Sequence, residues 1–260
     1  MFTYTKQVPV VSRPDVLVCG AGLAGIGAAV AAARSGAQTM VVERMGFAGG
    51  FFTAIIGSAF DGFVDERSGT PVVGGIVFEM LEPLGIVEPG QIADVIAKNN
   101  RVETVIASNK ASLIAIEPKM VIDCAGDGDV AAWAGAPFEK AEPLQPMSLH
   151  FRIAYLEPSF ELRRRTARVL EAAHERGDMG LYAGPYPATF SGRDIYFNAT
   201  RFPGDCTDPK DWTQAEIQGR ADAWKMFELW QEHLEEFKDA YFITSGPTAG
   251  ARESRRIVGD

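Results

Sequence analysis

The tightest constraint in this chain is a run of six residues, Gly20-Ala21-Gly22-Leu23-Ala24-Gly25, set between two segments of opposite character. Before it, Val16-Leu17-Val18-Cys19 is continuously apolar, the signature of a strand covered on both faces in a parallel sheet. After it, the alanine-rich stretch from Ala24 to Arg34 has the composition of a helix packed closely on a sheet, and Gly36 marks its end. Thr39-Met40-Val41-Val42-Glu43 then reads as a second strand. A strand, a helix and a strand in this order form a βαβ unit, whose right-handed crossover sets the two strands side by side. Gly20 permits the tight turn, Gly22 lets the backbone approach a pyrophosphate, and Gly25 lets the helix close on the strand. The N–H groups that open the helix, including those of Leu23 and Ala24, face the phosphates, and Glu43 is placed to accept hydrogen bonds from an adenosine ribose. The pattern predicts dinucleotide binding.

The loop alone does not separate FAD from NAD, because both present the same ADP half. Two further segments bear on that choice. Arg44-Met45-Gly46-Phe47-Ala48-Gly49-Gly50 carries a second glycine pair where the backbone passes close to the ligand. In Val121-Ile122-Asp123-Cys124-Ala125-Gly126-Asp127-Gly128-Asp129, a strand stops in a glycine turn and a helix of small residues follows. With these segments the chain resembles the FAD-dependent oxidoreductases of the glutathione-reductase-like superfamily, especially those with sequences of the form ER-x-GF-x-GG and DATGDGDVA. Gln145-Pro146-Met147 leading into a strand, and the run Arg252 to Gly259, extend the resemblance. It implies that Gly20, Gly22, Gly25 and Glu43 hold the ADP half of FAD. It further implies that Arg44, Gly49 and Gly50 lie along the ribose and pyrophosphate, and that Ala125, Gly126 and Asp127 line the cofactor. Where relatives have Ala-Thr-Gly, this chain has Cys124-Ala125-Gly126, which loses a hydroxyl and keeps the turn.

Two departures from the family pattern are larger. Relatives carry a longer stretch before the β-rich middle of the chain, whereas here Leu84–Gly90 runs directly into Gln91–Asp94, so a segment is missing near residues 90–91. They also continue past the equivalent of Gly259. The expectation is a shortened protein, an amino-terminal fragment, or a longer chain with its intervening loops closed up in the numbering. A partner subunit or a homo-oligomer would then complete the flavin site. An NAD(P)-dependent dehydrogenase is the enzyme alternative, and a flavin-binding subunit that needs a partner is the other.

The expected architecture is α/β, an FAD-binding Rossmann-type parallel sheet with an inserted β-meander, plus a smaller α+β substrate region. Residues 1–138 form the first, discontinuously, and residues 139–260 the second. Short β-rich pieces at Val102–Ala107, Leu113–Ile116 and Met120–Asp123 make up the meander. The substrate region opens with a strand over Ser148–Tyr155, followed by a helix over Ser159–Arg176, a strand over Ile195–Thr200 and a long helix capped by Asp211 or Thr213, with Glu216 closing a capping box.

A net charge of −9 argues against nonspecific nucleic-acid binding. The apolar run from Val16 to Ala33 mimics a signal-peptide core, but its glycines fall at dinucleotide-loop spacing, and no membrane segment is expected. Three widely spaced cysteines, Cys19, Cys124 and Cys206, point to a reducing compartment and a cytoplasmic location. Asp123, Asp127 and Asp129 look like a calcium loop but lack its later acidic ligand, so no metal site is expected. The flavin carries the redox chemistry and a small molecule is the substrate. The weak catalytic candidates are His150, which reads more readily as a structural histidine, and Arg252 and Arg255, which suit either a substrate carboxylate or phosphate or an internal ion pair with Glu253. His174 and His233 read as solvated, and Trp212, Trp224, Phe227 and Trp230, at near-helical spacing, read more readily as core packing than as the lining of a substrate cavity.

Overall fold

A computed structural model describes residues 1–54, 68, 76, 88–89, 91–189 and 193–259. Among them the chain divides into two compact units: Met1–Thr53, Gly62–Glu139 and Arg255–Asp260 form the first, and Ala54–Asp61 and Lys140–Ser254 the second. The break expected near residues 90–91 falls largely on positions outside those described.

In the first unit, β1 (Val10–Ser12) precedes β2 (Val16–Cys19), which leads through Gly20–Gly22 into helix α1 (Leu23–Arg34) and strand β3 (Thr39–Glu43). A short helix α2 (Gly50–Ala54) and strands β4 (Glu88–Pro89), β5 (Gln91–Lys98), β6 (Arg101–Ser108), β7 (Leu113–Ile116) and β8 (Met120–Asp123) follow. A parallel sheet runs in the order β4-β3-β2-β8, with Leu17 opposite Met40 on one side and Val121 on the other. Leu17, Val18 and Cys19 have no exposed surface, as a strand covered on both faces requires. A second sheet, β1-β7-β6-β5, is antiparallel except for β1, which joins β7 in parallel. The sequence pattern missed β5 because its alternation is weak: only Val95 is buried among its eight residues. Helix α3 (Asp129–Trp133) and strand β9 (Phe138–Glu139) complete the run. The tail returns here as β14 (Arg256–Ile257), which pairs with β9 and so places residues 255–260 with the first unit rather than with the expected substrate region.

The second unit is a four-stranded antiparallel sheet with two helices on one face. Its strands are β10 (His150–Ala154), β11 (Tyr182–Thr189), β12 (Asp194–Thr200) and β13 (Tyr241–Ser245), in the order β11-β12-β10-β13. Alternation along β10 and β12 sends Phe151, Ile153, Ile195, Phe197 and Ala199 into a core beneath helices α4 (Phe160–Glu175) and α5 (Pro209–His233). Trp230 is fully buried there against Phe151, Phe197 and Phe237, and its Nε1 donates to the Thr166 carbonyl. Trp224, on the same helix, is half exposed, so of the aromatic series only part is core.

Helix α5 begins earlier than the capping-box reading expects. Asp208 is the cap, accepting from the Lys210 N–H, and Pro209 takes the first helical position, where its missing N–H costs nothing. Glu216, freed from a capping role, instead accepts from the Ala249 N–H and the Thr248 hydroxyl and ties the helix to that segment. No helix among the described residues is long and apolar enough to cross a membrane.

Trp230→Ala should lower unfolding free energy by about 3–5 kcal/mol in chemical denaturation, through lost burial and a residual cavity. Trp224→Ala should cost well under half of that.

Candidate functional site

Three turns meet at the carboxyl edge of the first unit's parallel sheet. β2 and β8 end side by side, and the Cys124 N–H donates to the Cys19 carbonyl at 2.8 Å. Gly20 turns with φ of +98°, and a side chain there would meet the Cys124 carbonyl oxygen at 2.3 Å. Position 25 is equally closed: a Cβ would lie 1.9 Å from the Gly20 carbonyl oxygen, so only glycine lets α1 approach β2 this closely. Gly22 differs. A Cβ built there meets nothing within 4 Å, and its backbone, with φ of −64°, suits any residue. Its lack of a side chain is unrelated to packing or strain and keeps space open beside the helix start.

That space is lined by donors. Gly22 caps α1 without a side-chain hydrogen bond, and Ile26 is the first residue whose N–H reaches back to the Gly22 carbonyl. The N–H groups of Leu23, Ala24 and Gly25 therefore have no intrahelical acceptor, which is the arrangement that receives a phosphate. The second glycine pair lies against the first: Gly49 bridges Gly22 in parallel, and its N–H donates to the Ala21 carbonyl at 2.8 Å.

Glu43 is buried and uses one carboxylate oxygen for the Ala21 N–H at 2.6 Å and the other for the Met45 N–H at 2.9 Å. It braces the loop from below, and each oxygen retains a lone pair for a ribose hydroxyl. Arg44 is exposed. Asp123 does comparable work at the third turn, accepting from the Ala125 and Ala131 N–H groups and fixing Ala125, Gly126 and Asp127 ahead of α3. Burial, followed by Asp123 and Cys124, pushes the Cys19 thiol up to about 12, and burial raises Cys124 in the same direction. Both thiols stay protonated, so they bring no negative charge toward a phosphate.

Arg255 is also in this unit. Its guanidinium donates to Asp129 at 2.7 Å and to the Asp127 carbonyl at 3.0 Å, and it lies over the Phe138 ring. Its ion-pair partner is Asp129 rather than the neighbouring Glu253, and it anchors the returning tail against the third turn.

In the second unit, the sheet face opposite the helices carries His150, Arg152, Asp194, Tyr196 and Asn198, with His150 paired across to Asn198. Arg152 forms an ion pair with Asp194. His150 is 5% exposed, its Nδ1 is hydrogen-bonded with the Tyr196 hydroxyl, and its Nε2 lies 3.5 Å from Ser148 Oγ. Burial, then the charges of Arg201 and Arg252, lower its pKa to about 4, while burial raises Tyr196 to about 12. At neutral pH the imidazole and the phenol are both uncharged. The sequence did not single out Tyr196, Asn198 or Arg201; their signal is the alternation Asp194-Ile195-Tyr196-Phe197-Asn198, polar on one face and apolar on the other.

These features define the class first: a Rossmann-like α/β unit with three glycine turns at the carboxyl edge of its parallel sheet, followed in the chain by an antiparallel sheet with two helices. The chain belongs to the FAD dependent oxidoreductase family, whose model matches residues 15–88 and 85–260. Solved structures similar in fold include a geranylgeranyl bacteriochlorophyll reductase-like protein from Thermoplasma acidophilum, at 16% identity and a TM-score of 0.51, covering 92% of this chain and 66% of that one. The flavin-dependent brominase Bmp2 matches at 16% identity and a TM-score of 0.53, covering 95% of this chain and 70% of that one. The myxobacterial chondrochloren halogenase CndH, described as an FAD-dependent halogenase, matches at 15% identity and a TM-score of 0.53, covering 95% and 64%. The chain thus spans about two thirds of the length of these structures. No curated protein matches it in sequence. The residues fit the family's cofactor: a cradle that any Cβ at Gly22 would fill, uncapped N–H groups beside it and a buried acid beneath.

Two outcomes follow. Gly22→Val should fold with an unfolding midpoint close to the wild-type apoprotein yet retain no FAD after purification, whereas Gly25→Val should fail to fold; circular dichroism and flavin content read both. His150, neutral when folded and protonated below about 6.5 when unfolded, contributes stability that is fully present above pH 6.5 and lost as pH falls toward 4. The stability gap between wild type and His150→Gln should therefore narrow by up to about 3 kcal/mol over that window in denaturant titrations.

Proposed function

We propose that the chain acts as an oxidoreductase that transfers a hydride between a small molecule and FAD, within the glutathione-reductase-like group of FAD folds. The observation that supports this reading most is the open space at Gly22, flanked by the N–H groups of Leu23, Ala24 and Gly25, which have no intrahelical acceptor, and by the Gly49 backbone. In this reading the helix start neutralises the pyrophosphate, Glu43 receives a ribose hydroxyl, and the turn at Ala125–Asp127 lies along the remainder of the cofactor. Bound FAD supplies a hydride acceptor or donor at N5. The protein supplies placement of the substrate, exclusion of water and the neutral hydrogen-bonding pair His150 and Tyr196. Because that pair is uncharged at neutral pH, it orients a substrate and does not act as a charged acid or base there.

The experiment is anaerobic mixing of the yellow protein with protiated and deuterated small-molecule donors. Bleaching of the visible flavin band, slowed by deuterium at the donated position, is the expected result. Bleaching with no isotope sensitivity across all reactive donors would contradict hydride transfer and leave FAD binding in place.

A further inference from the structure

The polar face of the second unit's sheet carries a charge imbalance. Arg152 is matched there by Asp194. Arg201 is not matched in this way: its Nη1 donates to Asn198 Oδ1 at 2.8 Å and to the Thr200 carbonyl, which orient the guanidinium without cancelling its charge. Among the described residues neither Arg201 nor Arg252 has a carboxylate partner. Two backbone pairings bring the two arginines to either side of one strand segment. Met147 bridges Phe202, the neighbour of Arg201, and Ser148 bridges Gly250, two residues before Arg252. Arg201 senses Arg252: burial and then Arg252 lower its pKa, and both cations act on His150 and Tyr196.

Two like charges held together, one of them half-buried, are destabilising unless something negative joins them. Within reach of both charges stand the neutral His150 and Tyr196, hydrogen-bonded to each other, with the Ser148 hydroxyl 3.5 Å from the imidazole, and the buried imidazole adds no charge of its own at neutral pH. We infer that Arg201 and Arg252, framed by Ser148, His150, Tyr196 and Asn198, form the recognition site for an oxyanion carried by the substrate, a carboxylate or a phosphoryl group. The site rests on the reading of the second unit as the substrate-binding part. Guanidinium groups offer paired N–H donors that match the two oxygens of such a group.

Isothermal titration calorimetry of the FAD-loaded protein with sodium benzoate, phenyl phosphate and benzamide tests the inference, with flavin content read in the same samples. At least one of the two anions should bind, with neutral benzamide weaker by at least about tenfold; the preferred anion tells carboxylate from phosphoryl recognition. Arg252→Gln and Arg201→Gln should each weaken that anion by about tenfold or more, with flavin content and unfolding midpoint retained. Arg252 is exposed, so its variant decides the matter even where the half-buried Arg201 proves necessary for folding. Binding of no anion, equal binding of benzamide, or anion binding indifferent to Arg252→Gln would overturn the site. Flavin-loaded protein with any of these results leaves the flavin reading standing, whereas arginine-dependent anion binding by a protein that takes up no flavin would overturn the flavin reading and keep the site.

Discussion

The first unit depends on the absence of side chains where two strand ends and a helix converge. The Gly20 carbonyl occupies the volume that a Cβ at position 25 would need, and the Cys124 carbonyl occupies the one that Gly20 would need. Because those two positions are closed, α1 is pressed against β2 and β8 with its first turn facing outward. Glu43 then holds the loop through the Ala21 and Met45 N–H groups, and Gly49 closes against Gly22. The result is a helix start whose N–H groups at Leu23, Ala24 and Gly25 are held in place by main-chain contacts, so that the pyrophosphate binding proposed above would cost little reorganisation.

The glycine positions also separate folding from function. Gly20 and Gly25 are required by the protein's own packing, whereas Gly22 faces open space and is not. Gly22, at the mouth of a helix with no side-chain cap, is the glycine that the proposed cofactor site uses and that packing does not require. The second unit shows a parallel feature in charge: its apolar face is satisfied by Trp230 and its neighbours, while Arg201 and Arg252 have no carboxylate partner among the described residues.

The βαβ unit was legible in the sequence because its signals are local: a continuous apolar run, glycines at fixed spacing and a distal acid. The helix over residues 160–175 and the strands at 150–154 and 194–200 were legible for the same reason, through periodicity. What escaped was set by contacts far apart in the chain. Gln91–Lys98 lacks clear alternation because one side of it is largely exposed, and the pairing of Arg256–Ile257 with Phe138–Glu139 has no local signature. Arg255 carried no mark that its partner would be Asp129, more than a hundred residues earlier. Pattern alone does not single out Asp208 as the cap, because Asp211 and Thr213 compete for the role; Pro209 at the first helical position settles it. The cluster of His150, Tyr196, Asn198 and Arg201 becomes visible only once the register of β10 against β12 is known.

The central claim is that the glycine turns of the first unit form a cradle for FAD in particular. The most direct measurement is the visible spectrum of the purified protein, followed by acid precipitation, mass analysis of the released compound and competition of that binding by NAD. The account predicts a yellow protein that releases FAD into the supernatant and exchanges none of it for NAD. A colourless protein that takes up NAD and leaves added FAD in solution would contradict it.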